Sequence, residues 1–187
     1  MNAGESGFRH LSDELLHQGH IISMYRGSFV APDGSEFQRD VVRHPGAVSV
    51  VPLLASGEVV LVRQYRAALD RLLLEIPAGK RDVAGEPPEE TARRELVEEV
   101  GLYPGTLRHL VTFNNSVGFS DEESHVFLGT DLTEAAQDRQ GVEEQFMETV
   151  RVRLDDAPRM ISSGEITDAK TVIGLTLALA ATRSWTP

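Results

Sequence analysis

Three glutamates near the middle of the chain have the types and spacing of a metal-binding cluster. Glu95, Glu98 and Glu99 lie in a stretch that is predicted to be helical over about residues 88–100. At about 100° per residue, they fall within one sector of that helix. Like charges three and four residues apart oppose helix formation by roughly 0.2–0.5 kcal/mol per pair, so the cluster favours a counter-ion. Magnesium commonly binds one or two carboxylates together with substrate phosphates, and this helix face is therefore a candidate for half of such a site.

The residues around the glutamates define the helix that must position them. Pro88 suits a first turn, where a missing N–H costs nothing, and Gly101 suits the left-handed position that follows a last turn. Ala92, Leu96 and Val100 form an adjoining apolar stripe. The pattern predicts a helix that packs one face on a core and presents its carboxylates on the other.

The order of residue types decides between a metal site and a solvated acidic face balanced by Arg93 and Arg94. From Glu86 the chain reads EPPEETARRELVEEVGL. This segment closely resembles the Nudix box, G-x5-E-x7-R-E-U-x-E-E-x-G-U with U aliphatic, and from Glu86 onward it matches that box in full. Gly79 precedes Glu86 by one residue too many, which we interpret as an extra residue in the loop.

The resemblance implies a role for each matching residue. Nudix proteins mostly hydrolyse a nucleoside diphosphate linked to another group, with a divalent metal, here Mg²⁺ with Mn²⁺ as a second possibility. The metal ligands would be Glu95, Glu98 and Glu99, with Glu98 counted among the catalytic residues as well, and the backbone carbonyl of Ala78. Residues with structural roles in the box would be Gly79, Glu86, Arg94 and Gly101, with Glu86 and Arg94 pairing to brace the loop.

Outside the box, the chain is similar to the subgroup that cleaves ADP-ribose and nucleotide sugars. The similarity lies in short motifs at residues 39–42, 44–47, 62–66, 74–79 and 118–122. By resemblance, Arg39, Gln64, Arg66 and Glu75 are candidates for substrate contact. In this subgroup an N-terminal sheet is exchanged between two protomers, so the resemblance also implies a homodimer.

One position departs from the subgroup. Its members commonly have Ser-Pro-Gly after the box, whereas this chain has Ser116-Val117-Gly118. The proline is associated with ADP-ribose specificity, so GDP-mannose or another nucleotide sugar remains an alternative substrate. A Nudix-fold sensor that binds a nucleotide sugar without cleaving it is a further alternative, which the intact glutamate pairs disfavour.

The general base must come from outside the box, because coordinated glutamates are poor bases. In the resembling subgroup a mobile loop late in the chain brings a glutamate to the water. Residues 138–147, DRQGVEEQFM, form the matching acidic loop, and Gly141 could serve as its hinge. We expect Glu143 to be the base, with Glu144 as the alternate or an assisting ligand.

Composition limits the classes of partner and compartment. The net charge of -11 argues against broad attraction to nucleic acid or anionic membranes, and no apolar run approaches the roughly 20 residues that span a bilayer. The chain has 0 cysteines, which fits a reducing cytoplasm. We therefore expect a cytoplasmic enzyme with a small-molecule substrate.

The remaining pattern predicts an α/β or α+β fold. Residues 1–45 would form a small N-terminal antiparallel β-sheet used for dimerisation, and residues 46–187 a Nudix-type α/β/α sandwich with a mixed sheet. Within the second part, Ala47–Leu54 and Val59–Tyr65 flank Ser56-Gly57 and predict a hairpin. Two helices are expected after residue 154, over Asp155–Ser162 and Thr167–Thr182.

Overall fold

The structure is a computed structural model that describes residues 6–183. Its contacts divide the described chain into two compact units: residues 6–46 with 113–123, and residues 47–112 with 124–183. Within residues 6–183, none of the helices combines the length and the apolar character needed to cross a bilayer.

The first unit contains a three-stranded antiparallel sheet. Its strands are β1 (Arg9–Gln18), β2 (Ser23–Val30) and β3 (Glu36–Arg43), in the order β1-β2-β3. Residues 113–123 join β3 through two backbone hydrogen bonds, from Val42 N–H to Phe119 O at 2.7 Å and from Asp121 N–H to Val42 O at 3.2 Å. The predicted N-terminal antiparallel sheet is confirmed.

Two sheets make up the second unit. Its strands are β4 (Ala47–Pro52), β5 (Glu58–Arg66), β6 (Arg71–Glu75), β7 (Ala78–Lys80), β8 (Leu102–Asn114), β9 (Glu123–Glu134) and β10 (Glu148–Arg153); residues 113–114 of β8 and residue 123 of β9 are assigned to the first unit. One sheet has the order β10-β5-β6 and the other β7-β4-β9-β8. The second sheet is mixed, because β4 runs parallel to β9 and antiparallel to β7.

Helices of the second unit accompany these sheets. They are α1 (Pro88–Val100), α2 (Val142–Gln145), α3 (Ala157–Ser162) and α4 (Ala169–Arg183). Helix α1 has the bounds that the prolines and the glycine predict. Gly101 adopts the left-handed conformation at φ 68°, and its N–H bonds to Val97 O at 2.9 Å.

The four-stranded sheet separates two helical layers. Alternate side chains of a strand point to opposite faces, so Val48 and Val50 pack in one buried cluster with Ala92 and Leu96 of α1 and with Phe127 of β9. This cluster lies on one face of the sheet and buries the apolar stripe of the helix.

Helix α4 covers the opposite face through a glycine. A Cβ on Gly174 would lie 3.0 Å from Val51 and Ile76 and 3.2 Å from Val126, so the absent side chain allows close contact of helix and sheet. Since helices cover both faces of a mixed sheet, the predicted α/β/α sandwich is confirmed.

The predicted hairpin around Ser56-Gly57 is wrong in its pairing. A tight turn is present, with Leu54 N–H bonded to Glu58 O at 2.8 Å and one isolated bridge between Leu53 and Val59. Beyond that bridge the two strands enter different sheets, β4 beside β7 and β9 and β5 between β10 and β6. The turn residues are local, whereas strand pairing depends on partners that are distant in sequence.

Candidate active site

Glycine at position 79 allows a carboxylate to lie against the backbone. Strand β7 carries Ala78 and Gly79 and leads through a loop to helix α1. A Cβ built on Gly79 would lie 1.9 Å from Glu95 Cδ and 2.2 Å from Glu95 Oε2, so any side chain at position 79 would displace the Glu95 carboxylate. The box glycine therefore gives Glu95 its place beside β7.

Glu99 is held against the same strand. Its side chain is buried, with 3% of its surface exposed, and its Oε2 accepts a hydrogen bond from Ala78 N–H at 3.0 Å. Positions 95 and 99 are one helical turn apart, so both carboxylates reach residues 78–79 from a single face of α1. The helix and the strand thus bring together the predicted ligands Glu95, Glu99 and Ala78.

Arg94 lies among the acidic side chains of the box. Its Nη1 donates to Glu95 Oε1 at 3.0 Å and to Glu98 Oε2 at 3.2 Å, and its Nη2 lies 3.3 Å from Glu86 Oε2. Glu86 also accepts a 2.8 Å hydrogen bond from the Thr91 hydroxyl, which together with Arg94 lowers the pKa of the Glu86 carboxyl. Arg94 and Glu86 therefore brace the loop onto the helix.

The two carboxylates beside β7 have elevated pKa values. Burial raises the pKa of Glu99 to about 8, and the charges of Glu95 and Glu144 add to the effect against the hydrogen bond from Ala78. Burial also raises the pKa of Glu95 to about 7, helped by the charge of Glu98 and opposed by Arg94. The positive charges of Arg94 and Arg66 are thus insufficient to keep the carboxyl groups of Glu95 and Glu99 at their ordinary pKa values.

The residues present fit a divalent cation. Within residues 6–183, no three carboxylate or imidazole side chains already converge as a formed metal centre. The side chains of Glu95 and Glu99 nevertheless offer carboxylate oxygens beside residues 78–79, as hard cations prefer, and their raised pKa values indicate that Arg94 alone does not balance their charges. A bound cation would supply the missing positive charge.

The elevated pKa values predict a pH-dependent stability of the metal-free protein. An unfolded glutamate has a pKa near 4.5, so between that value and about 8 the folded state binds more protons than the unfolded state. Stability from this source is present at low pH and is lost as pH rises through the window. We expect metal-free Glu99→Gln to match the wild type in Tm at pH 5 and to exceed it by at least about 5 °C at pH 8.

Calorimetry of both proteins with a chelator present would measure this difference. The glutamine amide oxygen can still accept the Ala78 N–H, so the comparison isolates the charge. A Tm difference that is equal at pH 5 and pH 8, or that has the opposite sign at pH 8, would contradict the assignment of a buried, charged Glu99.

Three of the predicted substrate residues lie on neighbouring strands. Glu75 is buried, with 1% of its surface exposed, and accepts hydrogen bonds from Arg66 Nε at 2.8 Å and Nη2 at 2.7 Å. Burial alone would raise the pKa of Glu75, but the contacts with Arg66 and Lys170 outweigh it and lower that pKa. Gln64, two residues before Arg66 on β5, is also buried.

Helix α4 supplies contacts to this group that the sequence analysis missed. Lys170 pairs with Glu75 and lies 3.0 Å from Asp168. The Thr171 hydroxyl accepts a 2.9 Å hydrogen bond from Ile76 N–H and donates to Asp168. Residues 168–171, DAKT, thereby attach the end of β6 to the start of α4. In the sequence, only an Asp and a Thr three residues apart at the start of a predicted helix pointed to this arrangement.

The predicted acidic loop, residues 138–147, contains the short helix α2. Glu144 accepts hydrogen bonds from Gln140 N–H at 2.9 Å and Gly141 N–H at 3.2 Å, so its carboxylate caps its own turn. Glu143 is exposed. Helix α2 contacts β5, where the hydrogen bond from the Tyr65 hydroxyl to Asp70 raises the pKa of Tyr65 and the charge of Glu143 adds to the rise.

Arg39 belongs to the first unit. It donates from Nη1 to Gln38 O at 2.7 Å, and its guanidinium carbon lies 4.9 Å from the centre of the Phe37 ring. The other predicted site residues, with contacts described above, all belong to the second unit.

Comparison with known proteins identifies the family. The chain matches the NUDIX domain model over residues 43–172. It is 39% identical to an ADP-ribose pyrophosphatase of Bacillus subtilis over 165 residues, 88% of this chain and 89% of the relative. An ADP-ribose pyrophosphatase of Mycobacterium tuberculosis is 40% identical over 178 residues, 95% of this chain and 86% of the relative.

A solved structure described as an ADP compounds hydrolase is similar in fold, with a TM-score of 0.83 over 95% of each chain and 20% sequence identity. That identity supports the fold alone. The family model and the relatives agree with the box residues on helix α1, and they show that the chain belongs to the NUDIX domain family, the Nudix hydrolases.

Proposed function

We propose that the protein hydrolyses the diphosphate bond of ADP-ribose or a related nucleoside diphosphate sugar, using Mg²⁺, with Mn²⁺ as a substitute. The products would be a nucleoside monophosphate and a sugar phosphate. The observation that carries this proposal is the placement of Glu95 and Glu99 against residues 78–79, at the junction of a strand and the box helix. The names of the relatives from Bacillus subtilis and Mycobacterium tuberculosis support the substrate class.

The ligands for the metal would be Glu95, Glu98, Glu99 and the carbonyl of Ala78. A bound divalent cation neutralises phosphate oxygens and lowers the pKa of a bound water. Arg94 contacts two of these glutamates and Glu86, so it holds the carboxylates in place between turnovers.

Glu143 would accept the proton of the attacking water. As the water oxygen bonds to one phosphorus, the bond from that phosphorus to the bridging oxygen breaks, and the proton passes to the Glu143 carboxylate. With ADP-ribose the products are AMP and ribose 5-phosphate. Arg66 is bonded to Glu75 through Nε and Nη2, so Nη1 is the nitrogen that we assign to the substrate.

A panel of nucleoside diphosphate sugars tests the substrate specificity. Val117 occupies the position of the proline that is associated with ADP-ribose, and 77% of its surface is exposed. This position keeps GDP-mannose as the second candidate. Assays of ADP-ribose, GDP-mannose and other nucleoside diphosphate sugars, each with magnesium and with manganese, rank the substrates by kcat/KM. Binding of a nucleotide sugar without turnover of any would favour a sensor.

We also propose a cytoplasmic homodimer in which residues 1–45 are exchanged between protomers. Every residue of β1 is exposed in the single chain, including Leu11, Leu15 and Leu16. A small three-stranded sheet buries too little surface to be stable alone, so these leucines require a partner surface. The absence of cysteine supports the compartment, and the net charge of -11 supports a partner that is neither nucleic acid nor membrane.

Sedimentation velocity at micromolar concentration tests the dimer. The double variant Leu11→Glu/Leu15→Glu is expected to sediment as a monomer and to bind substrate poorly, because two charges would enter the shared interface. Deletion of residues 1–45 is expected to give monomers or aggregates. A truncated chain that stays dimeric and active would overturn the exchange of the sheet.

A further inference from the structure

The free carbonyl groups at the C-terminal end of helix α1 are hydrogen-bonded by a segment far along the chain. The last carbonyls of a helix have no partner within it. Here Ala135 N–H bonds to Gly101 O at 2.8 Å, Gln137 Nε2 to Glu99 O at 2.8 Å, and Asp138 N–H to Glu98 O at 3.3 Å. Residues 135–138 therefore fix the end of the helix that carries the metal-binding glutamates.

Arg139 adds a cation where the helix has none. Helix α1 has no basic residue in its last turn, although Glu98 and Glu99 lie there. A helix C-terminus favours positive charge. Arg139 Nε donates to Glu99 O at 3.2 Å, and this partly buried guanidinium thus contacts the backbone of a predicted metal ligand.

The same guanidinium also holds the far end of the acidic loop. Arg139 Nη1 donates to Met147 O at 2.7 Å, and Met147 is buried immediately before β10. The Arg139 side chain thereby closes residues 140–146 into a loop, because this loop follows directly from Arg139 and ends at Met147, whose carbonyl the Arg139 side chain holds. That side chain is in turn attached to α1.

The loop between these attachments is bonded largely to itself. Glu144 caps its start, Phe146 N–H bonds to Glu143 O at 3.3 Å, and Met147 N–H bonds to Glu144 O at 3.1 Å. Val142 and Phe146 are 70% and 79% exposed. Such a turn keeps its shape as a unit, so its position depends on what holds its two ends.

We propose that Arg139 is the positioning residue that fixes the Glu143-bearing turn relative to the metal-binding helix. This inference rests on the proposed function of Glu143. A planar guanidinium bonds two carbonyls in a fixed geometry, whereas an ammonium has rotatable donors on a flexible stem and would not fix their relative position. Loss of the fork would let the turn move without removing any group that contacts substrate.

Kinetics of Arg139→Ala test the proposal. Since a misplacement of about 1 Å can cost about a hundredfold in rate, we expect kcat to fall about 10- to 100-fold with KM within about threefold. Millimolar guanidinium should restore part of the rate, and Arg139→Lys should remain impaired. The matched control is Arg93→Ala, which removes another partly buried arginine of this region that bonds a carbonyl, Pro104 O at 2.7 Å, away from the loop.

Hydrogen exchange supplies a readout that needs no substrate. In Arg139→Ala the amide of Asp138, which bonds Glu98 O beside the lost contact, should exchange faster, while the amides within α1 and those bonded inside the turn keep their protection. The proposal is overturned by a kcat within twofold of the wild type, by equal loss in Arg93→Ala, by full rescue with lysine, or by unchanged exchange. A wild type that is inactive on every nucleotide sugar would refute the proposed function, whereas the exchange experiment would still judge the role of Arg139.

Discussion

Glu99→Gln should lose nearly all activity while the protein stays folded. The substitution removes one negative ligand, so metal affinity and the neutralisation of developing phosphate charge are lost together. Each tenfold in rate corresponds to about 1.4 kcal/mol, so a loss of several kcal/mol lowers kcat by roughly a hundredfold to a thousandfold. Steady-state kinetics with ADP-ribose at saturating magnesium measure this effect.

Two properties of Glu99→Gln separate chemistry from misfolding. The glutamine oxygen can accept the Ala78 N–H in place of Oε2, and removal of a buried charge favours the metal-free fold near neutral pH. Glu90→Gln is the matched control, because Glu90 is an exposed glutamate in the first turn of the same helix. Turnover near the wild-type value in Glu99→Gln would refute its assignment as a ligand.

Glu143→Gln should lower kcat by at least about a hundredfold and leave KM within a few-fold. Loss of a general base usually costs about 10²–10⁴-fold in rate with substrate binding largely retained. Glutamine keeps the size of the side chain and cannot accept the proton. Comparison of kcat and KM between this variant and the wild type measures the effect.

Glu144→Gln is the matched neighbour for that experiment. Its carboxylate caps the turn through Gln140 and Gly141, a role that a glutamine oxygen can largely maintain. A dead Glu144→Gln with an unimpaired Glu143→Gln would move the base by one residue. Normal turnover in both single variants and in the double variant would place the base outside this loop.

Local signals predicted the parts of the fold that depend on local chemistry. Helix α1 has its predicted bounds, because Pro88 and the left-handed Gly101 are specified by their own backbone preferences. Strand β1 lies within the sheet expected over residues 1–45, but it was not predicted as an individual strand. Its pairing with β2 shifts register between His10 and Ser12 and between Leu15 and His17, so its leucines do not alternate as in a regular strand.

The site shows the same division between near and distant residues. The box residues are close in sequence, and their spacing on one helix was sufficient to group them. Lys170 contacts Glu75, and Arg139 contacts the backbone of Glu99, each from another part of the chain. The hydrophobic and helical periodicity of the sequence does not predict such long-range contacts. Glu75 was predicted from the sequence as a substrate contact. The sequence did not predict that Arg66 and Lys170 both donate hydrogen bonds to this buried carboxylate.

Analysis of the reaction products determines whether the protein cleaves the diphosphate bond with a divalent metal. Purified protein is incubated with nucleoside diphosphate sugars, ADP-ribose first, with magnesium and then with excess EDTA, and the phosphorylated products are quantified. We expect equimolar AMP and ribose 5-phosphate from ADP-ribose, or the corresponding pair from a related sugar, formed with metal, abolished by EDTA and nearly absent in Glu99→Gln. Recovery of every nucleotide sugar intact in the presence of magnesium, or hydrolysis that is indifferent to both EDTA and Glu99→Gln, would contradict it.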